Sequence, residues 1–350
     1  MKKKVLIILP YAGGGGSEKV LINLANFLSR YFFVTICFVN LRKKNYLKFI
    51  KKKIIIVNLE KNSAKACIMP IIKLLNNCNF DYIISSIHHL NIVTIISKIF
   101  SKTKAKVIIR ETNKIIQSKF NLLKVFTIFI FYRFADLIIS PSKKINIEIK
   151  NLFIEKSKLK ILNNPVLINS YSRTPANIRK FIGRDKYILS FARFEKHKNL
   201  DFLIKCVKKI KRVKLVVVGE GSQKNNINNI IKNLGLNKRV KLFKFLPNGY
   251  ELLKKSELYI NCSDYEGQSN SVLEALFLNV PVISADNGSH TQFITKYKFG
   301  YVFKSFKIIN VSNLILKILK RRKKNINNKY FKEVNYFVIG RKLKQLIDKL

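Results

Sequence analysis

The sequence predicts an α/β protein built from two successive Rossmann-like domains, each a parallel sheet flanked by helices. Three observations carry this. Apolar, β-branched runs alternate with helical patterns along the chain. A glycine run follows directly on the first of them. The alternation halts at a polar stretch near the middle and then restarts. At 350 residues the chain exceeds a comfortable single core and fits two domains of ordinary size. Hydrophobic residues make up 48%, enough for two cores, and Gly (13) and Pro (7) are too scarce for long disordered linkers.

Val5–Leu9 reads as a buried strand and Gly13–Gly16 as a turn. Val20, Leu21, Leu24, Ala25, Phe27 and Leu28 then recur at helical spacing, and Phe33–Val39 is again strand-like. Ile54–Val57, Tyr82–Ser85, Val107–Ile109 and Leu137–Ile139 continue the first series. Asn163–Val166 punctuates the chain, and Asn169–Asp185, polar and aperiodic, reads as a linker. The second series holds strands at Tyr187–Phe191, Lys214–Val218, Val240–Phe243, Leu258–Asn261 and Pro281–Ser284, with a helix marked by Leu200, Leu203, Ile204, Val207 and Ile210. The expected division is 1–168, 169–329, and a terminal helix over 330–350 that packs back on the first domain.

Leu122–Tyr132 is almost wholly apolar, with Lys124 inside and Arg133 after it. Its length suits a buried core helix, and its composition also suits a helix dipping into a bilayer interface. No window reaches the 18 or so apolar residues of a membrane span. Three lysines precede Val5–Leu9 as in a signal peptide, but five apolar residues are too few for its hydrophobic region.

The net charge is +49, from 68 Lys and Arg against 19 acids. Such a chain is drawn to anionic lipid or nucleic acid. A plainer source is composition: Lys, Ile, Asn and Phe abound while Trp is absent, as an AT-rich coding sequence dictates. No known nucleic-acid module is legible, so charge alone favours that partner. Cys37, Cys67, Cys78, Cys206 and Cys262 are odd in number and lack C-x-x-C spacing, as expected of buried thiols in a reducing, cytoplasmic compartment.

Three clusters lie at ends of second-series strands, where open α/β sheets bind ligands. Arg193 and Lys198 follow the first strand, and two fixed cations can grip a diphosphate. Gly219–Glu220–Gly221 follows the second, where glycine lets backbone approach a ligand or merely makes a turn. Ser263–Leu276 follows Leu258–Asn261. Here Gly267 permits a tight turn, Ser269 or Asn270 can cap the next helix, and that helix can aim N–H groups at a phosphate. Glu266 sits in the loop and Glu274 within the helix. One carboxylate can accept from sugar hydroxyls and the other from ribose, while a purely structural Glu274 would join the cap.

This pattern resembles the retaining GT-B glycosyltransferases of family 4, most strongly over Ile188–Asp286 and again at Gly13–Leu28. The motifs are Arg193 with Lys198, Gly219–Glu220–Gly221, the acids Glu266 and Glu274 separated by seven residues, and Pro281–Val282–Ile283 after them. The resemblance implies a GT-B fold, two facing domains with a cleft between them. It implies that Arg193 and Lys198 bind the donor diphosphate, that Glu266 lies near the donor sugar, and that Glu274 holds the ribose. Gly267, Gln268, Ser269, Asn270, Ser271 and Val272 would bind sugar and phosphate, with Gly219 and Gly221 beside them. Gly15 and Gly16 would border the donor phosphates and the acceptor, and Ser17–Glu18 fits the family's small residue followed by Glu. Lys244 stands where the family often has Gly, before the loop that contacts the base. Arg110–Glu111–Thr112 stands where some members place a His-containing segment, and His88 and His89 lie at an earlier strand end. Glu18, His88, Arg110 and Glu111 are therefore the acceptor-side candidates, and no general base is assigned.

The expected activity is transfer of a hexose or N-acetylhexosamine from a nucleotide sugar, UDP-linked, to a lipid-linked or cell-surface glycan at the cytoplasmic membrane face. No Asp-x-Asp lies beside a strand end, so neither metal nor cofactor is expected. A GT-B nucleotide-sugar epimerase or hydrolase, which needs no acceptor, and a basic nucleic-acid-binding protein are the alternatives.

Overall fold

A computed structural model of the chain describes residues 2–350 apart from 43, 113–114, 116–121, 169, 212 and 321–327, and only the backbone of 328–330. The chain divides into two compact units, Met1–Leu167 with Glu333–Leu350, and Ile168–Lys332.

The first unit is a parallel sheet of β1 (Lys4–Leu9), β2 (Phe33–Phe38), β3 (Ile55–Asn58), β4 (Tyr82–Ser86), β5 (Lys106–Arg110), β6 (Leu137–Ser140) and β7 (Leu159–Ile161). Their order is β3-β2-β1-β4-β5-β6-β7, so the winding reverses between β1 and β4. Central strands of such a sheet are covered on both faces, which explains the unbroken apolar run Val5–Leu9, all of it buried. The helix Gly16–Leu28 buries Val20, Leu21, Leu24, Ala25, Phe27 and Leu28 along one side.

The segment after Lys332 belongs to this first unit. Val166 N–H donates to Val334 O at 2.7 Å and Tyr336 N–H to Val166 O at 3.2 Å. Asn335 then caps the helix Tyr336–Asp348 through its side chain. Gly340 of that helix lies on the Phe27 ring, where a Cβ would come within 2.4 Å of a ring carbon.

The second unit is a parallel sheet of β8 (Tyr187–Phe191), β9 (Lys214–Val218), β10 (Val240–Phe243), β11 (Leu258–Asn261), β12 (Val282–Ala285) and β13 (Gly300–Phe303). The order β10-β9-β8-β11-β12-β13 reverses between β8 and β11.

Three readings need correction. The stretch expected as a linker holds a helix, Ala176–Ile182, whose Ile178 and Ile182 are buried; two turns are too short to show a period. Asn169, where that linker was expected to begin, lies outside the described residues. The short strands β7 and β13 were not legible, one interrupted by Lys160 and the other opened by Gly300. Leu122–Phe131 is a helix, but not an enclosed one: Ile128 is buried while Leu122, Leu123, Phe126 and Phe129 are exposed. Among the described residues no helix is long and apolar enough to cross a membrane.

Candidate active site

In a doubly wound sheet, loops leaving two strands on either side of the reversal diverge and open a crevice. In the second unit these loops follow β8 and β11. They carry Arg193 and Lys198 on one side and Glu266 on the other. Lys198 Nζ meets Glu266 Oε1 at 2.6 Å, and Ser263 Oγ donates to the same oxygen at 3.0 Å. Burial alone would raise the Glu266 carboxyl, but Lys198, His290 and Ser263 outweigh it and hold the group below its ordinary value. Arg193 is exposed beside them.

The loops are fixed by their backbones. Asp264 N–H donates to His197 O at 2.8 Å, and Glu266 N–H to Asn287 O at 3.0 Å. His197 stacks on Tyr265 with ring centroids 4.8 Å apart. Gly219 and Gly221 serve a contact the sequence does not reveal. A Cβ on Gly219 would lie 1.9 Å from Ala192 O, and one on Gly221 2.5 Å from Phe194 O. Both glycines thus let the loop after β9 lie against the loop carrying Arg193.

Gly267 is buried and does not adopt a left-handed backbone; its carbonyl accepts from Ser289 N–H at 3.0 Å and Ser289 Oγ at 3.1 Å. Ser269 occupies the cap position of the helix Asn270–Phe277, but its hydroxyl makes no capping bond. That hydroxyl instead lies 3.2 Å from Ser271 Oγ, to which Tyr259 donates at 2.6 Å. Gln268, Ser269, Val272 and Glu274 are buried, and Asn270 and Ser271 half-buried, at this helix start.

His290 escaped the sequence reading. It is fully buried, and its Nδ1 accepts the Ser269 backbone N–H at 3.2 Å. That N–H can only donate, so the ring proton sits on Nε2, 3.0 Å from Ser284 Oγ, which itself donates to Ala285 O. Burial holds the His290 pKa down to about 4, with Lys198 acting the same way against Glu266. A neutral ring thereby fixes the start of the Glu274 helix. The only hint in sequence is a polar run, Asp286–His290, after a strand.

In the first unit the reversal lies between β1 and β4. Ser17 Oγ, in the first turn of the helix Gly16–Leu28, lies 2.7 Å from Ser86 Oγ at the end of β4. Gly15 and Gly16 lie at the start of the helix Gly16–Leu28. Glu18 is buried in its first turn, its carboxylate so close over Gly15 that a Cβ there would fall 1.8 Å from Oε2. A carboxylate suits a helix N-terminus, so Glu18 is a support for the glycine turn.

His88 is half-buried, with Nε2 3.1 Å from Thr127 Oγ1; Nδ1 is buried without a partner. Burial, Lys124 and His89 hold its pKa at about 4. Arg110 and Glu111, the other acceptor-side candidates, are both buried. Arg110 bonds Asn164, and burial brings its guanidinium down to about 10 despite Glu111. Tyr132 donates to Glu111 Oε2 at 2.6 Å and accepts from Asn91 Nδ2 at 3.1 Å. A strand end reads alike in sequence whether its side chains face a loop or the interior. Among the described residues no group of His, Cys, Asp and Glu is arranged to hold a metal.

Comparison with known proteins adds to this geometry. Residues 175–333 match the family described as Glycosyl transferases group 1. The chain is 29% identical over 304 residues, 82% of each protein, to N-acetylgalactosamine-N,N'-diacetylbacillosaminyl-diphospho-undecaprenol 4-alpha-N-acetylgalactosaminyltransferase of Campylobacter jejuni. It is 29% identical over 199 residues, 54% of this chain and 40% of the other, to poly(ribitol-phosphate) alpha-N-acetylglucosaminyltransferase of Staphylococcus aureus. Among solved structures, Anabaena Alr3699/HepE in complex with UDP-glucose superposes with a TM-score of 0.81 at 17% identity, covering 99% of this chain and all of that one.

Proposed function

Starting from a GT-B glycosyltransferase whose residues 175–333 form the group 1 domain, we propose a retaining, metal-independent enzyme with a UDP-sugar donor. The sugar is a hexose or N-acetylhexosamine, and the acceptor a lipid-linked or cell-surface glycan. The observation that carries this is the Lys198–Glu266 pair at the reversal of the second sheet, with Arg193 alongside.

The arriving diphosphate draws Lys198 away from Glu266 and engages Arg193. Glu266 then accepts hydrogen bonds from sugar hydroxyls, and Glu274 accepts from the ribose. Backbone groups from Gly267 to Val272, with Gly219 and Gly221, line the donor. The bond from anomeric carbon to diphosphate oxygen breaks, and its electron pair leaves with the nucleotide. The acceptor oxygen bonds the same face of the carbon, and its proton passes to the departing diphosphate oxygen. Fixed cations stabilise the leaving charge without having to reorganise.

The UDP complexes of the Anabaena protein and the two acceptors named for the bacterial relatives support this reading. The charge of +49 supports work at the cytoplasmic face of an anionic membrane. Thermal shift with UDP, GDP and ADP tests the base: UDP alone should raise stability markedly. Labelled UDP-sugars incubated with diphospholipid acceptors, with and without EDTA, test the rest. Transfer with an unchanged anomer and no loss on chelation is expected. Free sugar without any acceptor product would instead indicate hydrolysis.

A further inference from the structure

The helix Leu122–Phe131 is apolar except for Lys124 and Thr127, close to the composition of an enclosed helix. Only one side is enclosed. Ile128 and Tyr132, four residues apart, are fully buried. On the opposite side Leu122 is 77% exposed, Leu123 75% and Phe126 58%, and Phe129 continues the stripe. Phe153 joins them from the turn after the helix Lys143–Lys150. It is 87% exposed, and its ring meets that of Phe129 edge-on at 6.4 Å. Its φ of 58° is uncommon for a bulky residue, so this turn holds a phenyl ring in water against backbone preference.

Cations border the apolar face. The Arg133 guanidinium lies 4.7 Å over the Phe129 ring, and Lys158 Nζ donates to Arg133 O at 2.8 Å. Lys150, which ends the helix before the Phe153 turn, is exposed. Apolar side chains rimmed by Arg and Lys match the layering of an anionic bilayer, acyl chains below phosphates. A second copy fits poorly, because the same cationic rim would meet itself.

We propose that this face docks on an anionic membrane, with Leu122, Leu123, Phe126, Phe129 and Phe153 below the headgroups and Arg133, Lys150 and Lys158 among the phosphates. Thr127 of the same helix, half-buried, lies 3.1 Å from Nε2 of His88, the first residue of the helix that follows β4. A lipid-linked acceptor would thus arrive beside His88, an extension that rests on the proposed function. The docking surface itself does not.

The chain has no tryptophan, so Phe126→Trp gives a single fluorophore in the face. With vesicles of phosphatidylcholine and phosphatidylglycerol its emission should move to the blue and be quenched by acyl-brominated lipid. A control Phe306→Trp in the second unit should not respond. The triple change Leu122→Ser, Leu123→Ser, Phe126→Ser should weaken vesicle binding by at least about tenfold. A silent Phe126→Trp on vesicles that sediment the protein overturns the proposal, as binding then runs through charge elsewhere. A blue shift that grows with protein concentration without vesicles also overturns it, in favour of self-association. The UDP-induced rise in stability serves as the fold control. Its absence in the wild type counts against the UDP-sugar reading, whereas its presence with a silent reporter sinks the docking surface alone.

Discussion

The two sheets reverse their winding in the same way, yet they treat charge at the reversal differently. In the second unit Lys198 and Glu266 sit in loops, paired with each other and flanked by an exposed Arg193. A pair of this kind can exchange partners when an anion arrives. In the first unit the charges near the strand ends are sealed. Arg110 holds Asn164, and Glu111 receives Tyr132, all four side chains buried. Buried charged groups leave their partners only at large cost, so this network fixes a shape. One end keeps its charges in loops and the other seals them inside.

Substitution should separate the two. The largest effect on activity is expected for Lys198→Ala, about 10²–10³-fold in turnover with the fold intact, by analogy with loss of one electrostatic stabiliser. Glu274→Ala should likewise abolish most transfer. Nucleotide release assays and circular dichroism check both, and wild-type turnover in either would remove the site assignment. Tyr132→Phe should do the reverse. It leaves Glu111 without its 2.6 Å donor and costs about 1–3 kcal/mol in urea denaturation, while kcat stays near wild type.

His290 sharpens the contrast, because it is buried yet serves the open end. His290→Asn should raise the KM for donor about tenfold while leaving kcat less affected, because the Ser269 N–H loses its aligned acceptor. Its pH signature has a definite sign. The ordinary value is 6.5 and the folded value about 4, so the fold prefers the neutral ring. Its stabilisation is complete above pH 6.5 and is lost as pH falls toward 4, about 3 kcal/mol in all. Melting curves across that window should therefore be flatter for His290→Asn. The smallest effect is expected at Gly15→Ala, which must push the Glu18 carboxylate aside and should cost about 1 kcal/mol with a modest loss of transfer.

Much of this was legible beforehand for a physical reason. Strands covered on both faces read as apolar runs, so β1, β4, β8 and β9 stand out in the sequence. The helix Ala176–Ile182 did not, because two buried isoleucines make no period. The loops holding Arg193, Lys198 and Glu266 announce themselves by their place after strands. Direction does not: Arg110 and Glu111 sit at a strand end too, but face inward. His290 was invisible because its role lies in a backbone N–H twenty-one residues away.

The placement of Glu333–Leu350 has a consequence for the order of assembly. The chain completes Ile168–Lys332 before the helix that lies on Phe27 has been synthesised. On the ribosome the second unit is therefore a finished stretch of sequence while the first still lacks part of its surface. The Phe27 ring and the backbone of Val166 wait through the synthesis of the whole second unit for Gly340, Val334 and Tyr336. A nascent chain stalled near Lys332 would expose that patch to chaperones, and its release would mark the moment the first unit closes.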